Sequence, residues 1–134
     1  MAITLVWDDT LPNIVQYRFQ KGWTWHDFRR AALTEHQWGE ALHGVRYDII
    51  GDLSHAAIPS GTPFTNVTRL FEQGPPNRRM IVIVSSSAVV GAMIQIAGRM
   101  YPQIKGRFHA AASLEEARAL IVRLREREQS APSG

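Results

Sequence analysis

Hydrophobic and polar residues alternate in two short runs near the start of the chain. The runs cover residues 3–7 and 15–19, and in each of them an apolar side chain occupies every second position. Side chains of a β-strand point alternately to its two faces, so this pattern predicts two strands. The segment 8–13 between them predicts a six-residue loop, and the three segments together predict a β-hairpin.

A different period begins after Gly22, which interrupts the alternation. Thr24 is a favoured helix N-cap, and Asp27 completes a variant of the capping box. We therefore expect the first helix to begin near Trp25 and to end before Gly44. Its predicted buried face consists of Phe28, Ala31, Ala32, Trp38 and Leu42.

Strands and helices alternate along the rest of the chain. The predicted strands are 46–53, 80–84 and 108–112, and the predicted helices are 66–73, 88–101 and a last one that follows a capping box at Ser113 and Glu116. The run 80–84 has no polar alternation, which is typical of a strand that is covered on both faces.

This order, ββαβαβαβα, predicts an α/β fold. Strands that are separated by helices require right-handed crossovers, so we expect a mixed, mostly parallel five-stranded sheet with the first strand as an antiparallel edge. The chain is expected to form a single domain over residues 1–128, followed by a disordered tail at 129–134.

Composition narrows the functional classes. With 134 residues, 45% of them hydrophobic, the chain matches one domain with one core. No apolar run is long enough to span a bilayer and no signal peptide is evident, so we place the protein in the cytoplasm and away from membranes. The chain has no cysteine, which excludes thiolate chemistry, and we predict no metal and no cofactor. The net charge of +3 is dispersed, which argues against nucleic-acid binding.

One segment resembles a known motif. Asp52-Leu53-Ser54 is followed by Ile58-Pro59-Ser60-Gly61, and both this pair of motifs and the predicted order of elements resemble the STAS domains, the SpoIIAA-like anti-sigma-factor antagonists. The resemblance implies a divergent SpoIIAA-like fold and a regulatory, non-enzymatic role. It also implies that Ser60 is phosphorylated by a partner kinase, and that the surface around it binds such a kinase or an anti-sigma-type protein. A simpler interpretation of Ser60 is a turn serine before a glycine.

The strands 46–53 and 80–84 should end at a common edge of the sheet, where ligands bind in open α/β folds. A cluster of prolines and glycine, Pro59, Gly61 and Pro63, predicts an irregular loop after the first of them. The candidate residues for binding a partner or ligand at this edge are Asp52, Ser54, His55, Ser60, Thr62, Ser85, Ser86 and Ser87.

Several of these residues have alternative interpretations. The serines at 85–87 could hold an anion, although Ser87 as an ordinary N-cap is the simpler interpretation. Asp52 could orient His55 as a general base, or could pair with Asp48 on the same strand face to bind a metal or exchange protons; local hydrogen bonding is the simpler alternative. The tryptophans could form a stacking platform or simply pack; they are Trp7, Trp23, Trp25 and Trp38.

The helix at 88–101 is apolar on nearly all sides. Either other elements bury it on two sides or it forms a subunit contact, and we expect a homodimer through this helix or its neighbour.

Three functional hypotheses follow. The first is a STAS-like module that docks a protein partner through the loop after the strand 46–53. The alternative is a domain that binds a small ligand in the crevice at the ends of the parallel strands. The third is a hydrolase or transferase that uses Asp52, His55 and Ser60.

Overall fold

A computed structural model of the protein describes residues 2–60, 63–102 and 105–130. These residues form five strands and four helices. In chain order the elements are β1 (Ile3–Trp7), β2 (Ile14–Phe19), α1 (Trp25–Glu40), β3 (Tyr47–Asp52), α2 (Pro63–Gln73), β4 (Arg78–Val84), α3 (Ala88–Met100), β5 (Phe108–Ala111) and α4 (Leu114–Ser130).

The strands form one sheet in the order β1-β2-β3-β4-β5. β1 and β2 pair antiparallel, with Ile3 opposite Phe19, and the three other pairings are parallel. The predicted α/β fold with a mixed five-stranded sheet is therefore confirmed. Because consecutive parallel strands are neighbours, both ends of β3 and β4 lie side by side at opposite edges of the sheet.

Each face of the sheet carries its own hydrophobic cluster. Neighbouring residues of one strand contribute to different clusters, as Ile49 and Ile50 do in β3. One cluster packs against α1 and α2, and the other packs against α4. The prediction that the run 80–84 is covered on both faces is confirmed, since Ile81 belongs to the first cluster and Val82 to the second.

The capping signals are formed as predicted. The Asp27 amide donates to Thr24 Oγ1 at 3.1 Å, and the Thr24 amide donates to Asp27 Oδ2 at 2.9 Å, so α1 begins at Trp25. Before α4, the Glu116 amide donates to Ser113 Oγ at 3.1 Å. Hydrogen bonds of this kind satisfy backbone donors that a helix start otherwise leaves unpaired.

Some predicted boundaries were wrong. α2 begins at Pro63, three residues before the predicted start at 66, because proline is well tolerated in the first turn of a helix even though it disrupts strands and helix interiors. β4 begins at Arg78, two residues before the predicted start at 80. α4 continues to Ser130, into the predicted tail, and the remaining tail residues, 131–134, lie outside the described residues.

The hydrophobic face of α1 contains a carboxylate. Glu35 is fully buried and accepts hydrogen bonds from the Tyr17 hydroxyl at 3.0 Å and the Tyr47 hydroxyl at 2.5 Å. The Arg78 guanidinium, also buried, donates to both Glu35 oxygens at 2.8 and 3.1 Å and to the Leu70 carbonyl at 2.6 Å. We call these side chains, Glu35, Tyr17, Tyr47 and Arg78, the buried network. It links α1, α2 and three strands of the sheet.

Two glycines leave space for the buried network. A Cβ at Gly39 would collide with the Tyr47 phenol, and one at Gly74 would collide with the Arg78 guanidinium. Burial raises the pKa of Tyr17 and of Tyr47, and the Glu35 charge raises both further. Both phenols therefore remain protonated and act as hydrogen-bond donors to the carboxylate.

We predict that Glu35→Leu destabilises the protein by about 3–5 kcal/mol, because it leaves the Arg78 charge buried without its partner. The measurement is urea denaturation followed by tryptophan fluorescence. Glu40→Leu, an exposed change on the same helix, is the matched control and should change the free energy of unfolding by less than about 0.5 kcal/mol.

The double variant Glu35→Leu/Arg78→Met identifies the origin of this cost. We expect it to recover most of the lost stability, since removal of both charges leaves no orphaned ion. A double variant that is less stable than Glu35→Leu would contradict this explanation.

Candidate functional site

The ends of β3 and β4 meet at one edge of the sheet. Asp52 pairs with Val84 in the parallel register, and the Leu53 amide donates to the Val84 carbonyl at 2.9 Å. Two segments leave the sheet from this point: the rim loop, residues 53–60, and the serine turn, residues 85–87. The architecture therefore brings together the two segments that carry the predicted site residues.

The rim loop is attached to the start of α1 by two indole groups. Trp23 Nε1 donates to the Ala57 carbonyl at 2.9 Å, and Trp25 Nε1 donates to the Ser60 carbonyl at 3.1 Å. Ala56 and Ile58 pack against the hydrophobic cluster beneath α1. The backbone of the loop is thus held at several points along its length, although the loop has no regular secondary structure.

The two indoles are themselves held by aromatic packing. The Trp23 ring lies 4.6 Å from the Phe19 ring and 4.9 Å from the Trp25 ring, and the Trp25 ring lies 5.6 Å from Phe28. Trp23 is buried and Trp25 is half-buried. These tryptophans therefore support the rim loop from below, and their rings are largely occupied by packing contacts.

The other two tryptophans do not belong to this edge. Trp7 stacks on Trp38 with 5.4 Å between ring centroids, where β1 meets the C-terminal half of α1. A single platform of four tryptophans, one of the two interpretations of the sequence, is therefore wrong. The tryptophans form two separate packing groups.

Asp52 stabilises the start of the rim loop. Its Oδ1 accepts the Ser54 amide at 3.0 Å and the Ser54 hydroxyl at 2.5 Å, which is the local turn typical of aspartate at a strand end. Among the described residues its hydrogen bonds go to Ser54 and not to His55. The Asp-His pair that general-base catalysis would require is not formed.

Asp48 does not pair with Asp52. It is buried on the other sheet face, where Arg79 donates to both of its oxygens at 3.0 and 2.7 Å and Arg125 Nε donates to Oδ2 at 2.9 Å. Both carboxylates lie on one strand, but two arginines hold the first and a turn engages the second. The hypothesis that the two carboxylates act as a pair is wrong.

The serine turn is closed by its own hydrogen bonds. The Ser85 amide donates to the Ala111 carbonyl at 3.0 Å, and Ser85 Oγ accepts the Ser87 amide at 3.1 Å. Ser87 occupies the N-cap position of α3, but its side chain makes no capping hydrogen bond, so this prediction was wrong. The reason is local competition, because a serine hydroxyl bonds readily to an amide two residues away.

Three side chains of the rim loop point into solvent, and these are Ser54, His55 and Ser60. Ser86 and Ser87 are exposed beside them in the serine turn, whereas Ser85 is partly covered. Thr62 lies outside the described residues. The edge is therefore a polar, hydroxyl-rich surface on a fixed backbone.

The described residues contain no group of three or more histidine, aspartate or glutamate side chains that could hold a metal ion. No helix in the same part of the chain has both the length and the apolar character that crossing a membrane requires. A comparison of the chain with protein-family models and with curated proteins found no match in either.

The indole hydrogen bonds were missed by the sequence analysis. The signal in the sequence is the pair Trp23 and Trp25 on either side of the N-cap Thr24. Buried tryptophan needs a hydrogen-bond acceptor for its N–H group, and an irregular loop offers unpaired carbonyls. Without the fold, nothing in the sequence indicates which loop provides them.

We predict that Trp25→Phe loosens the rim loop while the fold persists. The change removes the N–H donor to Ser60 but keeps an aromatic ring, so the expected loss of stability is about 0.5–1.5 kcal/mol. Hydrogen exchange measured by mass spectrometry should become faster in residues 53–60. Trp38→Phe, which removes an indole from the other packing group, should leave that exchange unchanged; equal acceleration in both variants would contradict the role of the tether.

Proposed function

We propose that the protein is a non-enzymatic, cytoplasmic, STAS-like regulatory module that docks a protein partner through the rim loop. The observation that carries this proposal is a loop with a fixed backbone and outward-pointing polar side chains. A surface that is already ordered loses little conformational entropy when a partner binds. The tether from Trp23 and Trp25 supplies that order here.

The local hydrogen bonds favour docking over catalysis or ligand capture. The Asp52 carboxylate and the Ser54 hydroxyl bond to one another, and Ser85 Oγ accepts the Ser87 amide. A reaction or a small ligand at this edge would first have to break these contacts. A protein partner could instead use the exposed groups without disturbing them. Binding of a small molecule in the crevice at the strand ends is the alternative hypothesis, and native mass spectrometry of the purified protein tests it.

Ser60 is the proposed phospho-acceptor. It is exposed, and it precedes the start of α2 at Pro63 by three residues. A phosphate there would add roughly −1.5 to −2 charges next to the positive end of a helix dipole and within the proposed contact surface. The resemblance to the anti-sigma-factor antagonists supports a kinase or an anti-sigma-type protein as the partner.

We predict that a photo-reactive amino acid at Ala57, an exposed position of the rim loop, cross-links a partner protein in cells, and that the same amino acid at Gln37 does not. Gln37 is exposed on α1, about 18 Å along the helix from Trp25. Mass spectrometry of the cross-linked species identifies the partner.

Two further changes in the rim loop make this test specific. His55→Glu or Ser60→Asp should lower the Ala57 cross-link about tenfold, because each places a new negative charge in the contact. Gln37→Glu should have no effect. Identical cross-links from both positions, or a yield insensitive to the rim-loop changes, would contradict docking through this surface.

A second contact is proposed on α3, as the site of a homodimer. Val89, Ile96 and Met100 are 67%, 47% and 59% exposed, and their spacing places them along one side of the helix. Only Ile94 and Ala97 of this helix are recorded as buried among the described residues. Burial on two sides within one chain therefore does not explain the apolar composition of the helix. A symmetric contact between two copies would cover this stripe.

We predict that the protein sediments as a dimer at high concentration and that Ile96→Glu raises the dimer dissociation constant at least about tenfold, since the contact would bury an unpaired charge. Analytical ultracentrifugation measures both. Leu33→Glu, at an apolar position of α1 that is 65% exposed, is the matched control and should dimerise normally. A monomeric wild-type protein would refute this contact.

A further inference from the structure

A groove lies at the opposite edge of the sheet from the rim loop, where β3 and β4 begin. Its volume is about 420 Å³, a size suited to a small ligand. We call it the arginine groove. Its lining includes Arg46, Arg79, Arg107, Glu128, Met80 and Leu124.

The arginines of this groove are held in place. Arg107 donates from Nε to the Arg79 carbonyl at 3.0 Å and from NH2 to the Arg78 carbonyl at 2.8 Å. The Arg79 guanidinium is anchored to the buried Asp48, and it is only 15% exposed. Arg46 is 58% exposed and lies at the mouth of the groove. The groove thus combines two fixed guanidinium groups with one that can move.

Positive charge exceeds negative charge around the groove. Five arginines face three carboxylates in the connected ion pairs, an excess of two positive charges; the arginines are Arg46, Arg78, Arg79, Arg107 and Arg125, and the carboxylates are Glu35, Asp48 and Glu128. Burial lowers the pKa of Arg107, and the Arg78 and Arg46 charges lower it further. The charges acting on Arg107 are therefore positive, and an anion in the groove would offset them.

Glu128 shows how such an anion would be held. Arg79 NH1 donates to Glu128 Oε2 at 2.9 Å, and Arg46 NH1 donates to the other oxygen, Oε1. The two arginines thus hold the two oxygens of one anionic group. Glu128 is 36% exposed and lies in the last turn of α4, so its side chain can be displaced.

We propose that the arginine groove binds the phosphate or diphosphate group of a small molecule, which takes the place of the Glu128 carboxylate between Arg46 and Arg79. Guanidinium groups match the oxygens of phosphate with paired hydrogen bonds, which favours this class of anion. Met80, Pro76 and Leu124 provide an apolar surface for the rest of the molecule. The site is separate from the rim loop and does not depend on the docking proposal.

The test is titration of the isotope-labelled full chain with pyrophosphate, followed by NMR and by calorimetry at low ionic strength. Shifts should concentrate at the starts of β3 and β4 and at the end of α4. Arg46→Gln should weaken binding about tenfold, whereas Arg30→Gln, an equal change of charge on the exposed side of α1, should not.

Glu128→Gln provides a test that misfolding cannot imitate. Removal of the internal competitor should tighten pyrophosphate binding about threefold to tenfold, and raising the salt concentration should weaken binding in every variant. The absence of pyrophosphate binding, equal affinity in Arg46→Gln and Arg30→Gln, or weaker binding by Glu128→Gln would overturn the proposal.

Two further arms separate the sources of the phosphate. Vesicles that contain phosphatidic acid test a lipid headgroup; the small-molecule proposal predicts that soluble pyrophosphate binds without them, and binding seen only with vesicles would overturn it. A mixed-sequence single-stranded oligonucleotide tests nucleic acid. Tighter binding of the oligonucleotide than of pyrophosphate, lost in Arg46→Gln, would replace the proposal with a nucleic-acid site.

Discussion

The buried carboxylate of Glu35 is the constraint on which the hydrophobic layer between α1 and the sheet depends. A carboxylate that is removed from water must be fully hydrogen-bonded or paired with a charge, and Glu35 obtains both from Tyr17, Tyr47 and Arg78. Its three partners lie on three adjacent strands, so α1 can satisfy the carboxylate in only one position across the sheet. The network therefore specifies how the helix lies on the strands, in addition to the non-directional packing around it.

The same arrangement determines where the two candidate surfaces lie. Arg78 and Arg79 are successive residues of β4, so their side chains point to opposite faces of the sheet. The first completes the buried network beneath α1, and the second holds Asp48 on the side of α4. Both faces are thus locked at the start of β4, and this is also the edge at which the arginine groove is found. The rim loop lies at the other end of the same strands, over the aromatic residues at the start of α1.

The two edges differ in chemistry as well as position. At the rim loop, local turns and indole hydrogen bonds satisfy the backbone, and hydroxyl and imidazole groups remain outside. In the arginine groove, guanidinium groups outnumber the carboxylates that pair with them, and only the Glu128 side chain separates Arg46 from Arg79. A surface of the first kind suits contact with a protein, whereas the second suits a compact anion. The proposal of two separate binding surfaces follows from this difference.

Sequence by itself determined the features that depend on near neighbours. The hairpin, the caps at Thr24 and Ser113 and the doubly covered run 80–84 were predicted because alternation, capping and β-branching act over a few residues. Only the tertiary structure decided the contacts between distant residues. Glu35 and Arg78 are 43 residues apart, and Trp25 and Ser60 are 35 apart, so their pairing depends on which strands are neighbours and on the faces that their side chains take. A charged residue on a helix or a strand carries no local mark of the partner that will bury it, and for this reason the buried network, the indole tether and the arginine groove became visible only in the folded chain.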